Sequence, residues 1–187
     1  MSAYYMIMGT PKKSEFFEKT VLYFRSVQGA AAILWYAGHG DARGDWSMED
    51  GKVSYLDIVN EWVKIDKELA KGTRNYRKGT LTIVADCCHS GQWALDAAWH
   101  YAEMRGRGGG DGKEVKRQDP EGKFEYLERI MVQAACESWN TTGDCEFAPI
   151  FCKMQTDPVT RGPSPGWADF GTKAPYTAAR APSDCFG

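Results

Sequence analysis

An α/β domain with a mainly parallel sheet is the fold class that this 187-residue sequence predicts, on three observations. Strand-like and helix-like segments alternate along the chain, and alternation favours parallel strands joined by crossover helices. Ala30 to Tyr36 is a continuous apolar run, the pattern of a strand covered on both faces, and Thr80 to Ala85 is a second run of strand-forming residues. Between these runs Ile58, Trp62, Ile65 and Leu69 recur at the spacing of one helix face.

Taken in order, Tyr4 to Met8 reads as a short buried strand, and Thr10-Pro11 as the N-cap and first residue of a helix that turns Phe17, Val21 and Phe24 inward. Gly44 to Met48 and Lys52 to Tyr55 flank the pair Asp50-Gly51, which suits a type I′ hairpin turn. Ser54 with Asp57 three residues on has the pattern of a capping box opening the next helix. After Gly91, the residues Ala94, Leu95, Ala98, Trp99 and Ala102 predict a helix on the sheet. Ile130 to Ala135 reads as a further strand, Cys145 to Met154 as a helix, and the Pro/Gly-rich tail from Arg161 as loop with a short edge strand at Tyr176-Thr177.

A formal net charge of −2 offers no electrostatic reason to bind nucleic acid or an acidic membrane. No segment approaches the ~20 apolar residues of a membrane span, and Ala3 to Met8 is too short for a signal-peptide core. Six cysteines without a CxxC pair predict neither a disulfide scaffold nor a zinc site, so a reducing, cytoplasmic setting is expected.

The chemistry concentrates at two strand ends. The first apolar run ends in Gly38-His39-Gly40, and the second in Asp86-Cys87-Cys88-His89-Ser90-Gly91. In open α/β sheets ligands bind beyond the carboxyl ends of the strands. A thiol is a nucleophile only as thiolate, and an imidazole delivered from a neighbouring strand can take its proton. Cys87 competes with Cys88, but adjacent side chains on a strand-like approach point to opposite faces, so one of the pair can face a cleft.

Tyr36 to Gly40 together with Asp86 to Gly91 resembles the metacaspase branch of the caspase-like cysteine peptidases, and the resemblance extends with gaps over roughly residues 4 to 185. Cys88 lies 49 residues after His39, which agrees with the spacing of about 50 in caspases. The resemblance implies a three-layer α/β/α sandwich and a cysteine endopeptidase acting on protein or peptide substrates. His39 would be base or proton shuttle, Cys88 the nucleophile, and the backbone N–H groups of Gly40 and Cys88 the oxyanion hole. Cys136 also resembles a nucleophile segment, that of the legumain branch, but it lies 97 residues from His39.

By the same resemblance, Glu137-Ser138-Trp139-Asn140 corresponds to the substrate strand that pairs with an extended peptide. Asn140 replaces an arginine there, and Asp86 replaces a glutamine, which favours Arg or Lys at P1 over Asp. The alternative for Asp86 is a strand-end carboxylate bonded to backbone amides.

One domain is expected: a large-subunit-like part over 1–104, a flexible basic linker over 105–122, and a small-subunit-like part over 123–187. The linker carries Arg105, Arg107, Lys113, Lys116 and Arg117 among glycines, as a self-cleavage segment or as a solvated basic loop. The family's sheet normally begins with another strand and helix, and Ala37 stands where metacaspases often carry serine. The alternative expectation is therefore a catalytically inactive interaction or regulatory subunit, completed by a second chain. No cofactor is required; calcium is compatible with the family, but no aspartate cluster matches its site.

Overall fold

In the computed structural model of the protein, residues 9–27, 30–74, 76–104, 126, 128–142 and 147 are described, with backbone alone for 101–104. The expected strand at Tyr4 to Met8, the linker residues Arg105, Arg107, Lys113, Lys116 and Arg117, most of the expected helix from Cys145, and Tyr176-Thr177 lie outside them.

Helix α1 (Lys13–Val27) starts later than Thr10-Pro11 implies, because its first amide is capped from a distance: Lys13 N–H donates to Asp50 Oδ1 at 2.7 Å. Its buried stripe is Phe16, Thr20 and Phe24, with Phe17 and Val21 only partly buried, so the expected face is rotated by about one residue. The rotation lets Phe16 pack edge-on to Trp46, with ring centroids 6.1 Å apart.

Strands β2 (Trp46–Met48) and β3 (Gly51–Val53) form the expected hairpin, but Met48 pairs with Gly51. The two turn residues are therefore Glu49 and Asp50, neither has a positive φ, and the type I′ turn does not form. Asp50 instead serves as the cap of α1.

Helix α2 (Tyr55–Gly72) opens on the capping box read from the sequence, with Asp57 N–H donating to Ser54 Oγ and Ser54 N–H to Asp57 Oδ2. Burial alone raises the Asp57 carboxyl. The Ser54 amide and Lys13, whose Nζ is 3.1 Å away, outweigh it and hold the group below its ordinary range.

The main sheet consists of β1 (Ala31–Ala37), β4 (Thr80–Asp86) and β5 (Ile130–Ala134), parallel throughout, in the order β1-β4-β5. Its first face carries Ala32, Leu81, Ile83, Ala85, Cys87, Ile130 and Val132, and these share one core with α1, α2, the hairpin and α3 (Gly91–Met104). The second face carries Val84, which packs with Ala135 and Phe147. β4 is central and buried along its length, whereas β1 alternates, leaving Ile33 46% and Trp35 38% exposed. The two-sided cover expected of Ala30 to Tyr36 thus fails for β1, one of the two edge strands of the described sheet. On α3 the buried face is Trp93, Ala94 and Ala97, while Leu95 and Trp99 point to solvent, again a stripe displaced from the expected one. Among the described residues no helix is long and apolar enough to cross a membrane.

Arg129 ties the far end of the sheet together. Its guanidinium lies 4.8 Å from the Tyr126 ring and 5.0 Å from the Trp62 ring, and it bonds Asp66 at 2.9 Å and the Gly79 carbonyl. Asp66 also accepts from the Tyr76 hydroxyl, whose pKa is pushed up by burial and by this carboxylate. Removing one partner of a buried pair leaves an uncompensated charge, so Asp66→Ala is expected to cost about 3 to 5 kcal/mol in urea unfolding. Loss of a single cap in Ser54→Ala should cost about 1 kcal/mol; equal losses in the two variants would contradict this ordering.

Candidate active site

The parallel register sets the site. Ala37 pairs with Asp86, Gly38 N–H extends the ladder by donating to Asp86 O at 3.1 Å, and both chains then leave the sheet. His39 and Cys88 each stand two residues beyond the Ala37/Asp86 pair, at the carboxyl ends of neighbouring strands. The two loops touch. A Cβ on Gly40 would lie 2.2 Å from Cys88 O and 3.0 Å from Cys87 Sγ, so only glycine lets the His39 loop pass over the cysteine turn.

His39 is held through its backbone. Its carbonyl accepts from Ser47 N–H at 2.9 Å and from the Tyr36 hydroxyl at 2.9 Å. The Tyr36 ring stacks on Trp46 at 4.5 Å, and Trp46 on Trp93 at 4.2 Å, so the loop rests on an aromatic column reaching into α3. Burial, with a smaller contribution from Cys87, pushes the Tyr36 hydroxyl up to about 12. The His39 side chain is exposed, and its ring makes no hydrogen bond to another described residue.

The three described cysteines are free thiols. Cys87 is fully buried, and burial, then the neighbouring Cys136 and Cys88, push its thiol far up, which makes it inert. Cys88 is half-buried, and its Sγ donates to Thr142 O at 3.6 Å. The in/out division of the adjacent pair is therefore the one their alternation implies. Cys136, also half-buried, lies against Asn140 O at 3.2 Å and Cys87 O at 3.5 Å.

Asp86, the last residue of β4, is 8% exposed and lies on the second face of the sheet with Val84 and Gln133. Gln133 Oε1 is buried there without a hydrogen-bond partner. Glu137 to Asn140 is not the extended edge that the sequence led us to expect. Asn140 N–H donates to Glu137 O at 3.1 Å, closing a turn that leaves Trp139 71% exposed and Ser138 facing the ring of His89. A Cβ on Gly91 would lie 2.5 Å from Ser138 N, a measure of how tightly this turn is laid on the start of α3. Among the described residues no group of three or more His, Cys, Asp or Glu side chains is placed to hold a metal ion.

Three residues that sequence reading gave no role prove structural to the site. Tyr36 anchors the His39 carbonyl. His89 bonds the 137–142 segment. Ser90, fully buried, accepts at Oγ from Ala135 N–H at 3.0 Å and Cys136 N–H at 3.2 Å, joining the end of β5 to the cysteine turn. All three lie inside the two segments singled out in the sequence, Tyr36 to Gly40 and Asp86 to Gly91, but nothing local gives the partners that Tyr36, His89 and Ser90 bond.

Ser90→Ala leaves the Cys136 amide without that acceptor and should lower unfolding stability by about 1 to 3 kcal/mol; a loss under about 0.5 would contradict the role. The pH dependence follows from Cys87 and Tyr36, acids whose neutral forms the fold favours. Raised folded-state values mean that their stability is fully present below the unfolded values, about 8.5 and about 10, and is lost as pH rises toward the folded ones. Stability measured in urea should therefore decline above about pH 8.5, and Cys87→Ala should flatten the first part of that decline. A profile unchanged by the substitution would contradict the assignment.

No protein-family model matches the chain, and no curated protein or solved structure shows significant similarity to it.

Proposed function

We propose that this protein is a cysteine endopeptidase of the caspase/metacaspase type, with a three-layer α/β/α sandwich, working in the reducing cytoplasm on protein or peptide substrates after Arg or Lys. The observation that carries the reading is the register-matched exit of His39 and Cys88 from paired parallel strands, with Gly40 passing over the Cys88 carbonyl.

In this reading His39 takes the Cys88 proton and the thiolate attacks the scissile carbonyl carbon. The oxyanion that develops is met by the Gly40 and Cys88 N–H groups, neither of which donates to another described residue. His39 then gives the proton to the leaving amine, and water hydrolyses the thioester, regenerating the thiol. Asp86, at the base of the same strand end, supplies the carboxylate for a basic P1 side chain. Self-cleavage among Arg105, Arg107, Lys113, Lys116 and Arg117 would follow from the same preference. None of these steps is routed through a metal ion.

The second reading, an inactive subunit completed by another chain, is favoured by one observation: the edge strand β1 leaves Ile33 and Trp35 substantially exposed on the second face.

Fluorogenic peptides differing only at P1 separate the two. Wild-type protein should cleave after Arg and Lys and not after Asp, and both Cys88→Ala and His39→Ala should fall to background. Asp86→Ala should lose at least about two decades of kcat/KM on basic substrates, given the roughly 3 to 5 kcal/mol of a buried charge left unpaired. Cleavage that survives Cys88→Ala, or robust cleavage after Asp, would overturn the proposal.

A further inference from the structure

His89 is the only described non-glycine residue with a left-handed backbone, at φ 57°. L side chains adopt that region rarely, and they persist there when surrounding bonds hold them. Here the bonds converge on one segment. His89 N–H donates to Asn140 O at 2.8 Å, and the ring Nδ1 lies 3.0 Å from Ser138 O. A carbonyl only accepts, so Nδ1 carries its hydrogen in this bond. On either side, Cys88 Sγ donates to Thr142 O and Cys136 Sγ to Asn140 O. The alternate carbonyls of residues 138, 140 and 142 thus all accept from the cysteine turn or from Cys136.

We propose that His89 is a positioning residue for Cys88: its left-handed backbone and its Nδ1 bond to Ser138 lock the cysteine turn onto the 137–142 segment and so aim the thiol at Thr142 O. Pinned through Nδ1, the ring serves as a donor that orients the turn, and the proton-accepting role stays with His39. Thr142 O is the resting acceptor of the thiol hydrogen, released when the thiol is deprotonated. Only the hydrolytic consequence rests on the peptidase reading; the latch itself does not.

Three substitutions separate backbone from ring. His89→Gly keeps the left-handed conformation without a ring, His89→Asn keeps an amide donor near the Nδ1 position on a residue that tolerates that conformation, and His89→Ala keeps neither. Two measurements are made on each variant: the rate at which iodoacetamide alkylates Cys88, followed by peptide mapping, and kcat and KM on an Arg-P1 peptide. Without the latch the thiol is no longer held to Thr142, so His89→Gly should be alkylated at Cys88 about tenfold faster than wild type, with His89→Asn close to wild type. On the peptide, His89→Gly should lose about 10²-fold in kcat with little change in KM, the cost of a misaimed nucleophile. His89→Asn should recover most of that loss with an unchanged pH profile.

A His89→Gly protein that matches wild type in both measurements would overturn the proposal, since the backbone alone would then suffice. His89→Asn behaving like His89→Gly would overturn it equally. If the wild-type chain hydrolyses no peptide, the peptidase reading falls, and the alkylation rates of wild type, Gly and Asn variants still decide the latch.

Discussion

The in-register pairing of β1 with β4 is the constraint on which the rest of the site depends. Because side chains alternate with a period of two, a one-residue slip between these strands would carry every first-face residue of β1 to the opposite side. Leu34 and Tyr36 would leave the core, and Gly40 would no longer meet the Cys88 carbonyl. The register is held by the burial of Leu81, Ile83 and Ala85 against the helices, so the energy that aligns His39 with Cys88 comes from the strands that precede them. Hydrophobic burial at about 25 cal/mol per Å² thereby fixes a juxtaposition of the two loops that no local interaction between the two side chains would secure.

Around that alignment the backbone must turn sharply without stranding its polar groups. Ser90 Oγ receives two amides from the end of β5, and Asn140 O receives the His89 amide. The cost of these turns falls on a few permissive residues. Gly40 and Gly91 allow backbones to approach where a Cβ would collide, and His89 accepts a strained conformation. The short motif therefore encodes a junction between β4, β5 and α3.

Much of this was legible in the residues themselves. The capping box at Ser54 and Asp57, the inward stripe of Ile58, Trp62 and Ile65, and the strand ends at His39 and Cys88 all follow from local pattern, because each is decided within a few residues of chain. What local pattern missed depends on long-range partners. The start of α1 is set by Asp50, more than 30 residues away, and the exposure of Ile33 and Trp35 by what packs on the second face of the sheet, neither of which local pattern encodes. The hairpin turn is shifted by one residue, to Glu49-Asp50, which places the Asp50 carboxylate where it caps α1. The segment expected to be an extended substrate edge folds into a turn because His89 and Gly91 draw it onto the start of α3, which its own composition does not reveal.

The column of Tyr36, Trp46 and Trp93 has an optical consequence. Trp46 and Trp93 are fully buried and lie nearly parallel, with ring centroids 4.2 Å apart and an interplanar angle of 13°. Rings fixed so close in an asymmetric environment couple electronically and give a strong near-ultraviolet circular dichroism, a signal that vanishes when side-chain packing is lost even if helices and strands survive. Since the same column carries the His39 loop, the protein contains an intrinsic chromophore pair whose spectrum reports whether that loop is docked.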